Sequence, residues 1–391
     1  MKKLLFSLYG FSFFNKFLLL APVYTIYMQQ NGLSDLQLST LFIVAASGTV
    51  LGQVPVTYIT GRLGQRNSMI VGQCLKGTAM LLWLFFPCYA GFAAGSTLWG
   101  MQAGFRSVAF EGLLYDSVKA RGGADEYPRI LGRKSTYESV GVALSACGSL
   151  LIFLGYAWVT WMSVAAIVLS VLCLLMIPAH HGRRKKTRAQ IKIHRLFKTG
   201  IRVCAKTPCL LTIMILSLLI SNLPFLDDFL SPIGLQLGIP TEYVGVLSFF
   251  LLGCATLGQR FAYKFTHLSN MLLYILITLV GLGYITFGTI YTSDALWIMG
   301  VAYILFYGIY TLLYAQFQDM IPTRHRSVIL SLYTTLTYLV YMVVCGIIGL
   351  GASLGSWRYS IIIQGILVTL VGVISWVRIR NKCDLTINPK D

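Results

Sequence analysis

Acidic residues are scarce in this sequence of 391 residues. It holds 13 Asp and Glu against 31 Lys and Arg, and charged residues of both signs make up only 11% of the chain. A soluble domain carries roughly 25% charged residues, so the composition excludes an ordinary soluble protein. Hydrophobic residues reach 56%, and the mean hydropathy is +0.73. Because about 20 apolar residues cross a bilayer as a helix, we predict an all-α membrane protein with many spans.

The motifs that carry enzyme chemistry are also missing. None of the five histidines lies deep in an apolar stretch, and no C-x-x-C pair occurs among the nine cysteines. No glycine-rich loop has the spacing that cradles a phosphate group. We therefore predict no enzymatic activity, no metal site and no cofactor.

The positive charge is concentrated in one segment. Residues 180–206 contain ten Lys and Arg and no acid, and they lie between two apolar blocks. Such a position is typical of a cytoplasmic loop of a membrane protein. The net charge of +18 therefore does not indicate nucleic-acid binding, for which a basic patch on a folded surface would be expected.

Apolar stretches separated by polar turns predict twelve transmembrane helices. Lys and Arg occur in alternate loops, and the loops between those have none, with Arg358 bordering one of them. Since cytoplasmic loops are the positive ones, both termini are predicted to be cytoplasmic in a multi-pass protein of the cell inner membrane. The predicted helices are 4–28, 35–60, 67–89, 95–119, 130–155, 158–178, 208–236, 241–265, 269–291, 295–320, 326–350 and 357–380.

A repeat relates the two halves of the chain. Gly32 and the pair Gly52–Gln53 recur as Gly238 and Gly258–Gln259, each 206 residues later. Internal repeats of this kind predict two pseudo-symmetric six-helix bundles. The predicted domains are an N-terminal half at 1–178, a basic cytoplasmic linker at 179–207, a C-terminal half at 208–380 and a cytoplasmic tail at 381–391.

Seven ionisable residues fall within the predicted spans, where each costs at least roughly 2.5–3.5 kcal/mol at a helix centre. An ionisable residue with such a free-energy cost is a candidate for a functional role. The alternative is that these residues form ion pairs inside the protein that only hold helices together. Lys76 is expected to be structural. Because no histidine is deep, proton coupling would fall to the carboxylates. The seven are Lys16, Lys76, Arg106, Glu111, Glu138, Asp227 and Asp228.

The stretch FLDDFL at 225–230 places two adjacent acids on one predicted helix. At about 100° per residue, Asp228 falls in line with serines and prolines, and Asp227 falls in line with apolar residues. We therefore expect Asp228 to face the solute pathway, with Lys16 of the other half as its partner, and Asp227 to contact a neighbouring helix. Pro224 predicts a break in this helix. On helix 4, Arg106 is a further candidate for solute binding.

An aromatic stripe runs along predicted helix 10. Its members recur at helical spacing and would form a wall for a flat solute, although packing is the alternative. Predicted helix 11 has a similar face that includes Tyr338. The tyrosines of the stripe are Tyr303, Tyr307, Tyr310 and Tyr314, and Phe306 and Phe317 lie among them.

The predicted architecture and three motifs resemble the major facilitator superfamily of secondary transporters. The segment TYITGRLGQRNS (57–68) resembles the family's loop motif G-x-x-x-D-R-x-G-R-[RK], with Thr57 and Gly61 where a glycine and an aspartate are usual. FEGLLYDSVKARGGADEYPRILGRKS (110–135) and IPTRHRSVILSLY (321–333) resemble a bacterial branch of the family. Within the loop motif, Arg62, Gly64 and Arg66 match.

This resemblance implies alternating access around a cavity lined by helices 1, 4, 7 and 10. It also implies a cytoplasmic gate, in which Asp116 pairs with the loop arginines and Asp319 pairs with Arg324 or Arg326. Ordinary interfacial ion pairs are the alternative to a gate. The gate candidates are Arg62, Gly64, Arg66, Asp116, Arg133, Asp319 and Arg326.

The sequence thus predicts a secondary transporter that acts as a monomer on a small solute. Proton-coupled export of an amphiphilic or aromatic compound is favoured, because aromatic walls and mixed charges suit such a cargo. The family's antiporter signature on helix 5 is not matched by GVALSACGSL (141–150), which has no proline. Uptake by symport, or uniport, of a nutrient or metal chelate is therefore the alternative.

Overall fold

The computed structural model describes residues 2–119, 127–177, 193–265, 269–322 and 325–379. These residues are almost entirely helical and contain no β-strand. Nine stretches of the described residues are long and apolar enough to cross a membrane. The predicted all-α membrane fold is confirmed, and each of the twelve predicted spans overlaps a helix.

The first half begins with a helix that is broken in the middle of its predicted span. The chain between Lys16 and Tyr24 leaves the helical conformation. Ser34 then starts the next helix with a capping box, in which its hydroxyl accepts from Gln37 N and the Gln37 side chain accepts from Ser34 N. The helices are α1 (Lys2–Lys16), α2 (Tyr24–Gln30), α3 (Asp35–Phe85), α4 (Tyr89–Lys119), α5 (Tyr127–Ser145), α6 (Cys147–Leu150) and α7 (Tyr156–Leu175).

Two predicted spans, 35–60 and 67–89, belong to the one long element α3. The backbone leaves the helical conformation inside α3 at Gly64, which has φ 79° and ψ 166°. Glycine adopts a positive φ without the steric cost that a Cβ imposes. The glycine of the loop motif therefore marks the boundary between the two predicted spans.

The second half contains the linker helix and a second broken span. The helices are α8 (Ile193–Lys206), α9 (Pro208–Asn222), α10 (Leu230–Gln236), α11 (Val244–Phe261), α12 (Asn270–Ile290), α13 (Leu296–Met320), α14 (Arg326–Ala352) and α15 (Trp357–Ile379). Short 3-10 turns at Asp227–Phe229 and Thr241–Tyr243 precede α10 and α11.

The chain folds into two compact units. One unit is Met1–Arg183 together with Asp228–Leu235 and Ile239–Phe249. The other is Arg184–Asp227, Gln236–Gly238 and Phe250–Asp391. Two short segments of the C-terminal half, around α10 and the start of α11, thus pack with the first six predicted spans.

Glycines allow close packing of helices in both units. In the first unit, a Cβ on Gly100 of α4 would lie 1.9 Å from the carbonyl oxygen of Ala45 on α3. In the second unit, a Cβ on Gly281 of α12 would lie 2.3 Å from Oγ1 of Thr369 on α15. Small residues at such contacts let backbones approach closely, which is a main source of packing energy between membrane helices.

The repeat is visible in the helix bounds. The helices α1 and α9, which begin the first predicted span of each half, end at Lys16 and Asn222. The short helices α2 and α10 cover Tyr24–Gln30 and Leu230–Gln236. Each bound in the first half and its counterpart in the second half are 206 residues apart, which is also the spacing of the repeated glycines. Gly32 and Gly238 also share a positive φ, at 88° and 83°. The two halves therefore break their first span at equivalent positions.

Candidate functional site

The break between α9 and α10 places Asp227 beside two tyrosines of α13. Pro224 lies in this break, and the chain is non-helical until the 3-10 turn that begins at Asp227. Tyr303 donates its hydroxyl proton to Oδ1 of Asp227 at 3.0 Å, and Tyr307 donates to Oδ2 at 2.6 Å. Both carboxylate oxygens thus accept a hydrogen bond from the same helix face.

A third tyrosine supports this arrangement. Tyr284 of α12 is almost fully buried, and its hydroxyl donates to the carbonyl oxygen of Pro224. Pro224 thereby gains a partner for a carbonyl that lies in the break, where the helical ladder supplies none. The rings of Tyr303 and Tyr307 lie 5.8 Å apart, and Phe306 lies 4.5 Å from Tyr307.

The side chain of Asp227 is exposed although its span is apolar. A carboxylate facing hydrocarbon would be very costly, so its exposed surface must contact water or a polar solute. Tyr303 is 1% exposed and Tyr307 is half-buried. The cluster of Asp227, Tyr303 and Tyr307, which we name the Asp227 cluster, therefore presents one negative group against an aromatic wall.

Helical periodicity does not hold across FLDDFL, because the chain leaves the α-helix at Asn222 and returns to it at Leu230. A period of about 100° per residue therefore does not by itself fix the two faces here, although the expected contact of Asp227 with a neighbouring helix is observed. The structure brings Asp227 to α13, and it leaves Asp228 half-buried in the other unit. The predicted pairing of Asp228 with Lys16 stays a prediction.

The remaining tyrosines of the stripe continue along the same helix. Tyr310 and Tyr314 are half-buried and stack at 5.9 Å. Tyr314 also packs at 5.6 Å against Tyr333 of α14, whose hydroxyl pairs with that of Ser217 on α9 at 2.9 Å. Tyr338 is half-buried on α14. The stripe therefore combines a polar end at Asp227 with a packed aromatic end.

In the first unit, a buried lysine holds the end of α1. Lys76 of α3 is 3% exposed, and its ammonium donates to Asn15 O and, at 3.0 Å, to Asn15 Oδ1. Gln73 donates to the same Oδ1 at 3.0 Å and accepts from Ser170 at 3.1 Å. The Lys76 ammonium also lies 5.4 Å from the ring of Trp99. Lys76 thus stabilises the negative end of the α1 dipole at the break.

Two other predicted cations lie near this network. Lys16 and Arg106 both act electrostatically on Lys76, and both are half-buried. The charges of Arg106, Glu138 and Lys134 act on Lys16 in turn. Glu138 forms an ion pair with Lys134 at 3.3 Å, one turn away on α5. The side chain of Glu111 lies outside the described residues.

Serines of α5 and α7 satisfy the backbone where α1 ends. Ser145 Oγ accepts from Leu18 N at 2.8 Å and lies 3.0 Å from the carbonyl oxygen of Lys16. Ser163 Oγ accepts from Leu20 N at 2.9 Å. Both serines are buried. The broken segment of the first span is therefore held by side chains of α5 and α7.

The predicted gate residues lie around the kink of α3 at Gly64 and near the ends of other helices. The guanidinium of Arg62 is 4.4 Å from the ring of Tyr58, and Arg66 is half-buried. Arg326 donates to Gln318 at 2.9 Å, and among the described residues it forms no ion pair with Asp319, which is exposed. Arg133 is exposed on α5. The side chain of Asp116 and residue Arg324 lie outside the described residues, so the gate stays a prediction.

Several residues of the site were not identified from the sequence, because the prediction rested on charged residues and on one aromatic stripe. Asn15 and Gln73 are uncharged, although Gln73 precedes Lys76 by three residues and so shares its helix face. Tyr284 and Tyr333 belong neither to the stripe of predicted helix 10 nor to the residues that were singled out on predicted helix 11. Only their contacts with Pro224 and Tyr314 reveal them.

A nucleoside transporter, NupG, superposes with a TM-score of 0.76 at 11% identity, covering 97% of this chain and 99% of the other. A D-xylose-proton symporter superposes with a TM-score of 0.69 at 14% identity, covering 96% of each. A POT family transporter bound to a thioalcohol-conjugated peptide gives 0.67 at 12% identity, covering 96% and 95%. No curated protein sequence matched significantly.

These structures are similar in fold, and their low identity carries no information about cargo. The sequence profile described as Major Facilitator Superfamily matches residues 5–345, which is most of the chain. The protein therefore belongs to the Major Facilitator Superfamily and has the fold of its membrane transporters, not of an enzyme.

Proposed function

We propose that this transporter moves a small amphiphilic or aromatic solute in exchange for protons, and that the Asp227 cluster is its coupling site. The proposed location is the cell inner membrane, with both termini in the cytoplasm. The direction proposed is export, as the sequence predicts. Alternating access between the two halves is the proposed mechanism.

One observation carries the proposal. An exposed carboxylate accepts hydrogen bonds from two tyrosine hydroxyls inside a broken and largely apolar span. Such a carboxylate can hold a proton or a cationic or hydroxyl group of a solute, and the two donors stabilise it when it is ionised and empty. The adjacent rings of Tyr303, Phe306 and Tyr307 supply apolar contact for the rest of the solute.

The experiment uses the purified protein in liposomes that contain a trapped pH dye. Pools of small amphiphilic aromatic compounds are added, and proton movement is compared between the wild type and Asp227→Asn. We expect at least one pool to drive proton movement in the wild type and none to do so in the variant. Tyr307→Phe removes one charge-assisted bond of about 1.5–3 kcal/mol, so the coupled rate should fall roughly ten-fold or more.

Asp294→Asn is the matched control, because Asp294 is exposed in the 3-10 turn before α13. Its coupled rate should equal that of the wild type. Solute transport without proton movement, unaffected by Asp227→Asn, would overturn the coupling role. A stronger loss in Asp228→Asn than in Asp227→Asn would return the coupling site to the residue that periodicity favoured.

The same assay decides the direction. An exporter that exchanges solute for protons moves the two in opposite directions across the bilayer, whereas a symporter moves them together. The uptake alternative is kept because the fold is shared with a D-xylose-proton symporter. Co-directional movement would replace export by proton-driven uptake.

A further inference from the structure

The helix α8 joins the basic linker to the first span of the second half. It covers Ile193–Lys206, carries no acid, and is followed after one residue by Pro208 at the start of α9. The amide of that intervening residue, Thr207, donates to the carbonyl of Cys204, which continues the turn. Because α8 leads directly into a span, its position is fixed close to the membrane surface.

The sequence of α8 separates charge from apolar residues around the helix axis. At about 100° per residue, four cationic positions fall within roughly 80° of one another. The opposite side has no charged position. The cationic positions are Arg195, Lys198, Arg202 and Lys206, and the opposite side holds Ile193, Leu196, Phe197, Gly200, Val203 and Cys204.

The apolar side of α8 packs on the second unit. Gly200 and Cys204 are buried, and a Cβ on Gly200 would lie 3.2 Å from Leu332 Cδ2 and 3.4 Å from Val328 Cγ1 on α14. The sulfur of Cys204 lies 3.9 Å from that of Met214 on α9. The rotation of α8 about its axis is therefore fixed by contacts with two spans.

The cationic side of α8 is exposed at the C-terminal end of the helix. Arg202 and Lys206 are exposed. Ile201, at the border between the cationic and apolar sides, is 57% exposed. An exposed apolar edge beside a row of cations is the pattern of a helix that lies in the membrane interface, with its apolar edge in the acyl region and its cations among the headgroups.

We propose that this cationic face of α8, centred on Arg202 and Lys206, binds the headgroups of anionic lipids. Charge complementarity favours this occupant, because the face carries several cations and no acid. Each Lys or Arg near an anionic membrane surface contributes about 1 kcal/mol. Lipid binding would hold α8 against the first turns of α14 and so couple the linker to that span.

The test uses the full chain in nanodiscs of phosphatidylcholine alone or mixed with phosphatidylglycerol. Hydrogen exchange of the peptide that covers 193–206 reports the lipid contact. We expect exchange to be several-fold slower with phosphatidylglycerol in the wild type. The double variant Arg202→Gln with Lys206→Gln should lose this difference, because two missing charges weaken lipid binding roughly 30-fold, at about five-fold per charge.

The matched control is Arg260→Gln with Lys264→Gln, which removes two exposed cations at the end of another span. It should keep the lipid-dependent protection of 193–206. Alkylation of Cys204 reports whether α8 stays docked. Burial raises the pKa of this thiol above its usual range, so alkylation should be slow in every variant.

Four results would overturn the proposal. These are equal exchange in the two lipids, protection that persists in the Arg202 and Lys206 variant, and equal protection by soluble glycerol phosphate in phosphatidylcholine discs. The last of these three would mean a site for free anions rather than for lipid. Rapid alkylation of Cys204 in the variant would be the fourth, since the charges would then hold the helix to the protein.

Discussion

At the scale of the residue, Lys76 shows how a buried lysine can be hydrogen-bonded without a carboxylate partner. Its ammonium bonds to two oxygens of Asn15 and lies near Trp99. The α1 dipole adds a partial negative charge at the same place. A lysine in this position links α3 to the point where the first span breaks.

Lys76→Met should therefore destabilise the protein while filling much the same volume. The variant leaves two buried acceptors of Asn15 with one fewer donor, at a cost of about 1–2 kcal/mol. We expect a lower midpoint of thermal unfolding in detergent. Lys264→Met, which removes an exposed lysine beside Phe261, should leave the midpoint unchanged. Equal midpoints for both variants would contradict a stabilising role for Lys76.

A single residue could be identified from the sequence where its type makes it energetically costly inside an apolar span. The two acids of FLDDFL stood out because a carboxylate is expensive in an apolar span. Asp227 was expected to contact a neighbouring helix, and it does contact α13. The break means that a helical period could not show which helix this would be or through which residues. Lys76 was interpreted as structural, and its contacts agree with a stabilising role. Its partners Asn15 and Gln73 carry no charge and gave no signal.

At the scale of the element, both halves begin with a span that is divided into a longer and a shorter helix. Pro224 predicted the second break, because proline cannot donate to the helical ladder. The first break, between Lys16 and Tyr24, was not predicted, although Pro22 lies within it. Its amides are satisfied by serines from α5 and α7, which are distant in sequence. Tertiary partners of this kind cannot be identified from local propensity.

The serines at the first break provide a test of how it is held. Ser145→Ala removes the buried acceptor of Leu18 N, and Ser163→Ala removes that of Leu20 N. Each unsatisfied amide should cost about 1–3 kcal/mol, and the two costs should add approximately, because the serines bond different amides. Thermal unfolding in detergent measures the loss.

Ser135→Ala is the control for these variants, since its exposed hydroxyl bonds only to the preceding turn of α5. It should unfold at the wild-type midpoint. If Ser145→Ala and Ser163→Ala do the same, the break is held by packing and not by the two hydroxyls.

At the scale of the whole molecule, the repeat was the strongest sequence signal of the fold. The offset of 206 residues between repeated glycines also separates the bounds of the broken helices in the two halves. The alternation of loops with and without Lys and Arg predicted the number of spans. Both features are strong signals because they extend over the whole chain. Tertiary packing cannot be inferred in this way, and so the packing of α10 and the start of α11 with the first unit was not predicted.

That packing brings Gly245 of α11 against the turn between α5 and α6. Ser149 donates to Glu242 O at 2.8 Å and accepts from Gly245 N at 3.0 Å. A Cβ on Gly245 would lie 2.1 Å from Ala146 O, so only glycine permits this approach. If the transporter works by alternating access, this contact must form and break in every cycle.

Gly245→Ala should therefore prevent the contact and slow transport at least ten-fold, the effect of about 1.4 kcal/mol or more on one step of the cycle.

Ser231 of α10, whose hydroxyl donates to Pro22 O in the same unit, is buried in this state. A cysteine introduced by Ser231→Cys should be labelled faster by a membrane-impermeant reagent when the protein also carries Gly245→Ala than when it does not. Gly253→Ala changes a glycine of the same helix with no atom within 4 Å of the added Cβ, so it should alter neither rate. Wild-type transport by Gly245→Ala would show that the contact is a fixed part of the first unit rather than a moving one.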